Sequence, residues 1–132
     1  MIDEVMRKID SDTRPFWEGT LEHKLFIQQC TECHEHQFYP RIICRNCMGN
    51  VEWKQAKGKG EIYSFTKIEH AFSERFKNKT PYIVALIKLD EGPSLMTNIV
   101  NSDIDHITIG ASVTAVFNEV YGEYNLLQFQ LS

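Results

Sequence analysis

At 132 residues the chain is one ordinary domain or two very small ones. Apolar residues make up 42 %, enough for a core, and no apolar run approaches the ~18 residues needed to span a membrane. Fourteen basic residues against 18 acidic ones leave a formal charge of −4, which argues against a general nucleic-acid binder, since those carry a basic excess.

Residues 1–24 read as an N-terminal helical segment. Ile2, Val5, Met6 and Ile9 fall at i, i+3, i+4 and i+7 and build one apolar stripe. Asp10 to Asp12 and Pro15 interrupt it, and Phe16-Trp17-Glu18-Gly19 starts a second helical turn. So short a helix is marginal alone in water, so the stripe needs a surface to pack on. That surface is either the body of the same domain or a partner subunit. In the second case Val5, Ile9, Phe16 and Trp17 are the interface residues, aromatic side chains being favoured anchors. The opening MIDEVMRKID has no basic stretch followed by an apolar one, so a cytoplasmic, reducing location is expected.

Residues 25–56 carry the strongest signal. Cys30-x-x-Cys33 and Cys44-x-x-Cys47 account for all four cysteines and stand ten residues apart. A two-residue gap lets both thiolates of a pair converge on one ion, and two such knuckles complete a tetrahedral S4 site. The spacing predicts a zinc ribbon with one structural Zn2+ held by Cys30, Cys33, Cys44 and Cys47. Disulfides would need an oxidising compartment, and rubredoxin-type iron usually has a longer interval between knuckles. Four thiolates leave no open position, so this metal serves folding rather than catalysis. Strands are expected at 25–27, 37–39 and 51–55. Gly49 supplies the residue tolerant of positive φ after the second pair, where the first pair has the less suitable His34.

Residues 57–132 read as five β-strands. A strand at 61–69 puts Ile62, Ser64, Thr66 and Ile68 on one face, and YIVALIKL at 82–89 is apolar enough to be buried on both faces. Glu91-Gly92-Pro93 turns into a strand at 94–100, and an irregular excursion covers 101–109. Strands at 112–121, with Val113, Ala115, Phe117 and Glu119 sharing a face, and at 124–131 complete the set. Five mainly antiparallel strands in so short a stretch suit a five-stranded OB-fold barrel. The fold class is therefore mainly β with an N-terminal helix, a rubredoxin-like zinc ribbon at 25–56 and an OB-fold at 57–132.

The order of parts resembles the domain-of-unknown-function-35 (DUF35) proteins. The resemblance runs through Phe16-Trp17-Glu18-Gly19, the two cysteine pairs, Pro40-Arg41, Trp53, Gly58-x-Gly60 and Ile62 to Thr66. It continues through Pro81-Tyr82, Glu91-Gly92, Ile109-Gly110, Val113 and Phe117. His34 departs from the knuckle glycine usual in the family. The resemblance implies a non-catalytic accessory subunit of a thiolase-type acyl-CoA complex, stabilising the assembly and helping form the CoA-binding channel. The partner would be a thiolase-fold protein, with CoA or acyl-CoA met through the complex and the catalytic cysteine on the partner.

The residues agree with a chain that is not an enzyme on its own. All cysteines are committed to metal, no Gly-x-Ser-x-Gly elbow surrounds any serine, and no paired carboxylates stand at an acid–base spacing. His34 and His36 are read as loop histidines and His70 as a strand-end histidine. Between the first two barrel strands, residues 71–80 carry three cations and two phenylalanines. Arg75, Phe76, Lys77 and Lys79 are the candidates to lie near CoA, by phosphate pairing and ring stacking. The plain alternative is a solvated charged loop. Lys54, Lys57 and Lys59 form a second basic group. A different reading, a single-stranded nucleic-acid-binding ribbon and OB-fold, would require a basic, aromatic groove.

Overall fold

The computed structural model describes residues 13–69 and 81–132. The stripe of Ile2, Val5, Met6 and Ile9, together with His70 and the loop bearing Arg75, Phe76, Lys77 and Lys79, lies outside the described residues.

Helix α1 (Arg14–Leu21) begins with Pro15 in its first turn, where a fixed φ helps and a missing N–H costs nothing. Its buried face is fastened to the far end of the chain. Trp17, 5 % exposed, packs on Tyr124 with ring centroids 5.9 Å apart. Thr20 Oγ1 donates to Trp17 O at 2.6 Å and accepts from Asn125 N at 3.2 Å, and Asn125 Nδ2 donates to Thr20 O at 3.0 Å. The body of the chain thus takes up Trp17, while Phe16 is half-buried against Phe38 at 5.6 Å.

Strands β1 (Phe26–Cys30), β2 (His36–Gln37) and β3 (Val51–Gln55) form an antiparallel sheet in the order β2-β1-β3. Register pairs Gln28 with Gln37 and Cys30 with Val51. The two glutamines are buried and satisfy each other: Gln37 Nε2 donates to Gln28 Oε1 at 2.7 Å. They also hold the connection to the second knuckle. Gln28 Oε1 accepts from Arg41 N (2.9 Å), Gln28 Nε2 donates to Arg41 O (2.9 Å), and Gln37 Oε1 accepts from Arg45 N (3.1 Å).

The remaining strands are β4 (Lys59–Ile68), β5 (Tyr82–Leu89), β6 (Ser94–Ile99), β7 (Ser112–Tyr121) and β8 (Tyr124–Leu131). They close into a barrel ordered β4-β5-β6-β8-β7, the expected OB-type arrangement. Ile62, Ile83, Ile87, Leu95, Val113 and Phe129 fill it, and Leu25, Ile27 and Ala56 belong to the same buried cluster. Ribbon and barrel therefore share one core. The excursion after β6 contains a 3-10 turn (Ile104–His106), capped by Asp103 Oδ1 accepting from Asp105 N at 3.0 Å.

Three local expectations change. A register shift between Ile62 and Ser64 breaks the single face assigned to β4: Ile62 stays buried while Ser64 and Thr66 are exposed. Such a bulge inserts one residue into an alternation of period two, so every side chain beyond it changes face. A second shift between Val116 and Glu119 likewise takes Glu119 out of line with Val113 and Phe117. In β5, Ile83, Ala85, Ile87 and Leu89 are buried, but Val84 and Leu86 are half-buried and Lys88 is exposed. One face of β5 meets the core, not two.

The barrel is least continuous where β6 meets β8, a parallel contact with one ladder pair, Ile99 with Phe129. The ribbon reaches this seam: Met96 N on β6 donates to the Tyr39 hydroxyl at 3.4 Å.

Candidate metal centre

The two knuckles bring all four sulfurs together. Cys30 Sγ lies 3.4 Å from Cys47 Sγ, Cys33 Sγ lies 3.7 Å from Cys44 Sγ, and the four ligand atoms fall within 4.8 Å of one another. A tetrahedron with Zn–S near ~2.3 Å has S–S edges of about 3.8 Å, so the cage fits zinc with small adjustment. No cysteine is in a disulfide.

Amide donors already favour thiolates. Glu32 N and Cys33 N both donate to Cys30 Sγ at 3.4 Å, and Asn46 N donates to Cys44 Sγ at 3.3 Å. The Cys33 backbone N–H, aided by that of Glu32 against some desolvation, brings the Cys30 thiol down to about 6. The backbone N–H of Cys47 is the main influence holding Cys44 below its usual value. At Cys47 the Gly49 backbone N–H pulls the thiol down, but the crowding sulfurs of Cys30 and Cys33 outweigh it and push it up to about 12. Four sulfurs this close cannot all carry charge unaided; a divalent cation makes the fourfold thiolate stable. The site is that of one structural Zn2+. Asn46 Nδ2, 3.7 Å from Cys33 Sγ, adds a side-chain donor.

The knuckles also correct the role given to Gly49. The left-handed residues are His34 (φ 64°) and Met48 (φ 65°), each directly after the second cysteine of its pair. Gly49 is needed for another reason. A Cβ there would stand 3.2 Å from Cys30 Sγ and would collide with the Glu32 carboxylate. His34 is exposed, His36 pairs with Gln29 in the sheet, and neither belongs to the sulfur cluster.

In the Lys54, Lys57 and Lys59 group, only Lys54 has a carboxylate partner among the described residues. Lys54 Nζ pairs with Glu52 at 3.2 Å, and Lys59 Nζ donates to Thr114 Oγ1 at 3.2 Å. Around the knuckles four apolar residues stand exposed among polar ones such as Glu32, His34, Arg41, Arg45 and Asn46: Ile42 and Met48 are each 74 % exposed, with Ile43 and Tyr39 nearby in sequence and also exposed. Periodicity does not reveal them, because Tyr39, Ile42 and Ile43 lie in the irregular segment between Cys33 and Cys44, and Met48 directly follows Cys47. The available signal is an apolar residue in a segment too short to fold it inward.

Residues 17–52 match the family described as "ChsH2, rubredoxin-like zinc ribbon domain", and residues 53–118 match "ChsH2, C-terminal OB-fold domain". The chain belongs to the DUF35 family. A DUF35 domain-containing scaffold protein from Methanothermobacter thermautotrophicus is 39 % identical over 103 residues, 76 % of this chain and 77 % of that relative. A probable enoyl-CoA hydratase alpha subunit from Thermomonospora curvata is 33 % identical over 92 % of this chain, which spans 38 % of that longer protein. Among solved structures, a chain of an Ltp2-ChsH2(DUF35) aldolase superposes with a TM-score of 0.82 at 31 % identity, covering 94 % of this chain and 97 % of that one. Among the described residues no helix is long and apolar enough to cross a membrane.

Proposed function

We propose that this DUF35 protein is a non-catalytic subunit of an enzyme complex acting on acyl-CoA, with a thiolase-fold protein as partner. The observation that carries the docking part is the set of exposed apolar side chains on the metal ribbon. Ile42 and Met48 are each 74 % exposed, yet stand on loops fixed by four cysteine ligands. A rigid apolar surface loses little conformational freedom on association, which favours a standing partner. The acyl-CoA context rests on relatives: one named a scaffold protein, one a probable enoyl-CoA hydratase alpha subunit, and one part of an aldolase. Val5, Ile9 and Phe16 are proposed as further partner contacts. Arg75, Phe76, Lys77 and Lys79 are proposed to lie near CoA.

The test is affinity capture from the native host with zinc-loaded protein, followed by mass spectrometry and metal analysis. A stoichiometric thiolase-fold protein is expected, and Met48→Asp with Ile42→Asp should reduce its recovery at least tenfold without changing zinc content. Capture of nucleic acid in place of any acyl-CoA enzyme would overturn this reading in favour of the single-stranded nucleic-acid one. Arg75→Ala with Lys77→Ala is expected to slow the complex while leaving assembly intact; unchanged turnover would remove that loop from the CoA path.

A further inference from the structure

The buried glutamine pair of the ribbon fixes the main chain of two arginines. Gln28 takes both main-chain groups of Arg41, accepting from its N and donating to its O at 2.9 Å each, and Gln37 Oε1 accepts from Arg45 N at 3.1 Å. Buried amides are unfavourable unless bonded, and here their bonds go to positions 41 and 45. Two guanidinium side chains are thereby rooted on either side of Ile42, Ile43 and Cys44.

Both arginines are exposed, and among the described residues neither side chain has an ion pair or a hydrogen bond. The donors to the cysteine sulfurs are main-chain amides and Asn46, so the arginines hold no thiolate in place. From His36 to Val51 the sequence has no Asp or Glu, and Arg41 and Arg45 are its two permanent cations, in a chain of net charge −4. Glu32 and Glu35 flank the first knuckle and pair with neither. This end of the ribbon therefore combines exposed Ile42, Ile43 and Met48 with two unpaired arginines.

Arginine and methionine are enriched where proteins meet, and a guanidinium fork matches a carboxylate in two parallel bonds. A phosphate fits the same fork but covers none of the neighbouring aliphatic side chains. An acidic surface is repelled by most of a chain with excess acid and attracted at this end, so the arginines also select the orientation of approach. We infer that the partner's docking surface is acidic, with Asp or Glu carboxylates paired to Arg41 and Arg45 beside its apolar contacts to the ribbon. This deepens the docking part of the proposed function and rests on it.

The test uses three zinc-loaded full chains as bait in a lysate of the native host: the parent, Arg41→Glu with Arg45→Glu, and Arg41→Lys with Arg45→Lys. Charge reversal is expected to cut recovery of the stoichiometric acyl-CoA enzyme at least tenfold at unchanged zinc content and circular dichroism. The ratio to the parent should shrink as added salt screens the charges. The lysine variant keeps the charge and supplies amines, so a carbodiimide should join positions 41 and 45 to Asp or Glu of that enzyme, mapped by mass spectrometry. Recovery indifferent to reversal, or no link to the partner's carboxylates, would overturn this proposal. Docking through Ile42 and Met48 would then still stand, because their Asp variants read it separately. Links to the chain's own Asp3, Glu4, Asp10 or Asp12 would overturn the proposal too, as would recovery of nucleic acid that is lost on reversal. Carboxylate links to a stoichiometric protein unrelated to acyl-CoA would uphold the acidic surface and remove the acyl-CoA reading. No stoichiometric partner for any of the three chains would overturn both.

Discussion

His34 and Met48 occupy equivalent left-handed positions, φ 64° and 65°, one after each cysteine pair. A side chain there costs roughly 1–2 kcal/mol relative to a comfortable backbone. His34→Gly is therefore expected to raise the denaturant midpoint of the zinc-loaded protein by an amount equivalent to about 1 kcal/mol. An unchanged or lower midpoint would show that the imidazole makes good the strain. Gly49→Ala should do the opposite and lose zinc to a competing chelator sooner, since its Cβ enters the space beside Cys30 Sγ at 3.2 Å. The thiols set a pH signature. Cys47, pushed up to about 12, remains protonated at neutral pH without metal, whereas Cys30, at about 6, is mostly ionised. Zinc loading near neutral pH should release the Cys47 proton, so affinity rises with pH and the calorimetric heat depends on the ionisation enthalpy of the buffer. A buffer-independent heat would contradict that assignment.

At the scale of elements, the glutamine pair on β1 and β2 and the Thr20–Asn125 clasp between α1 and β8 are the polar joints. Gln37→Leu leaves Arg45 N without its 3.1 Å acceptor and Gln28 Oε1 without its 2.7 Å donor. The cost should be about 2 kcal/mol, read as a lower midpoint, with the second knuckle losing amide protection first. A midpoint unchanged from the parent would mean water replaces both bonds. These joints also show where reading the sequence stops. The cysteine spacing specified the knuckles because ligand geometry is local, and alternation with turn residues located all five barrel strands. The bulges after Ile62 and Val116 were not legible, because the extra residue is selected by the neighbouring strand and leaves little mark in its own. YIVALIKL reads as buried on both faces because its half-buried positions, Val84 and Leu86, are also apolar; only the charge of Lys88 departs from that pattern. Gln28 and Gln37 read as ordinary polar positions, since their partners lie in a loop that only the folded ribbon brings near.

For the molecule as a whole, the shared cluster of Leu25, Ile27 and Ala56 with the barrel residues couples metal to global stability. Structural zinc binding in zinc-finger peptides is worth roughly 10–16 kcal/mol, so Cys33→Ser or Cys44→Ser is expected to unfold the ribbon and abolish partner capture while the barrel partly survives. Hydrogen exchange would show this as lost protection in β1–β3 with residual protection in β5 and β6. Zinc at full stoichiometry in either variant would refute it. The contact between Tyr39 and Met96 N gives the ribbon one more task. An open strand margin is a template on which further copies of a chain can add, and soluble proteins keep such margins covered. In this chain the cover is a hydroxyl carried by a segment that the metal holds folded. Stripping zinc would thus do more than loosen a domain: it would unlatch a shutter over β6 and invite self-association, making metal supply a determinant of whether the protein stays dispersed. Light scattering during chelation should rise with protein concentration, and a Tyr39→Phe chain should scatter at lower chelator doses than the parent.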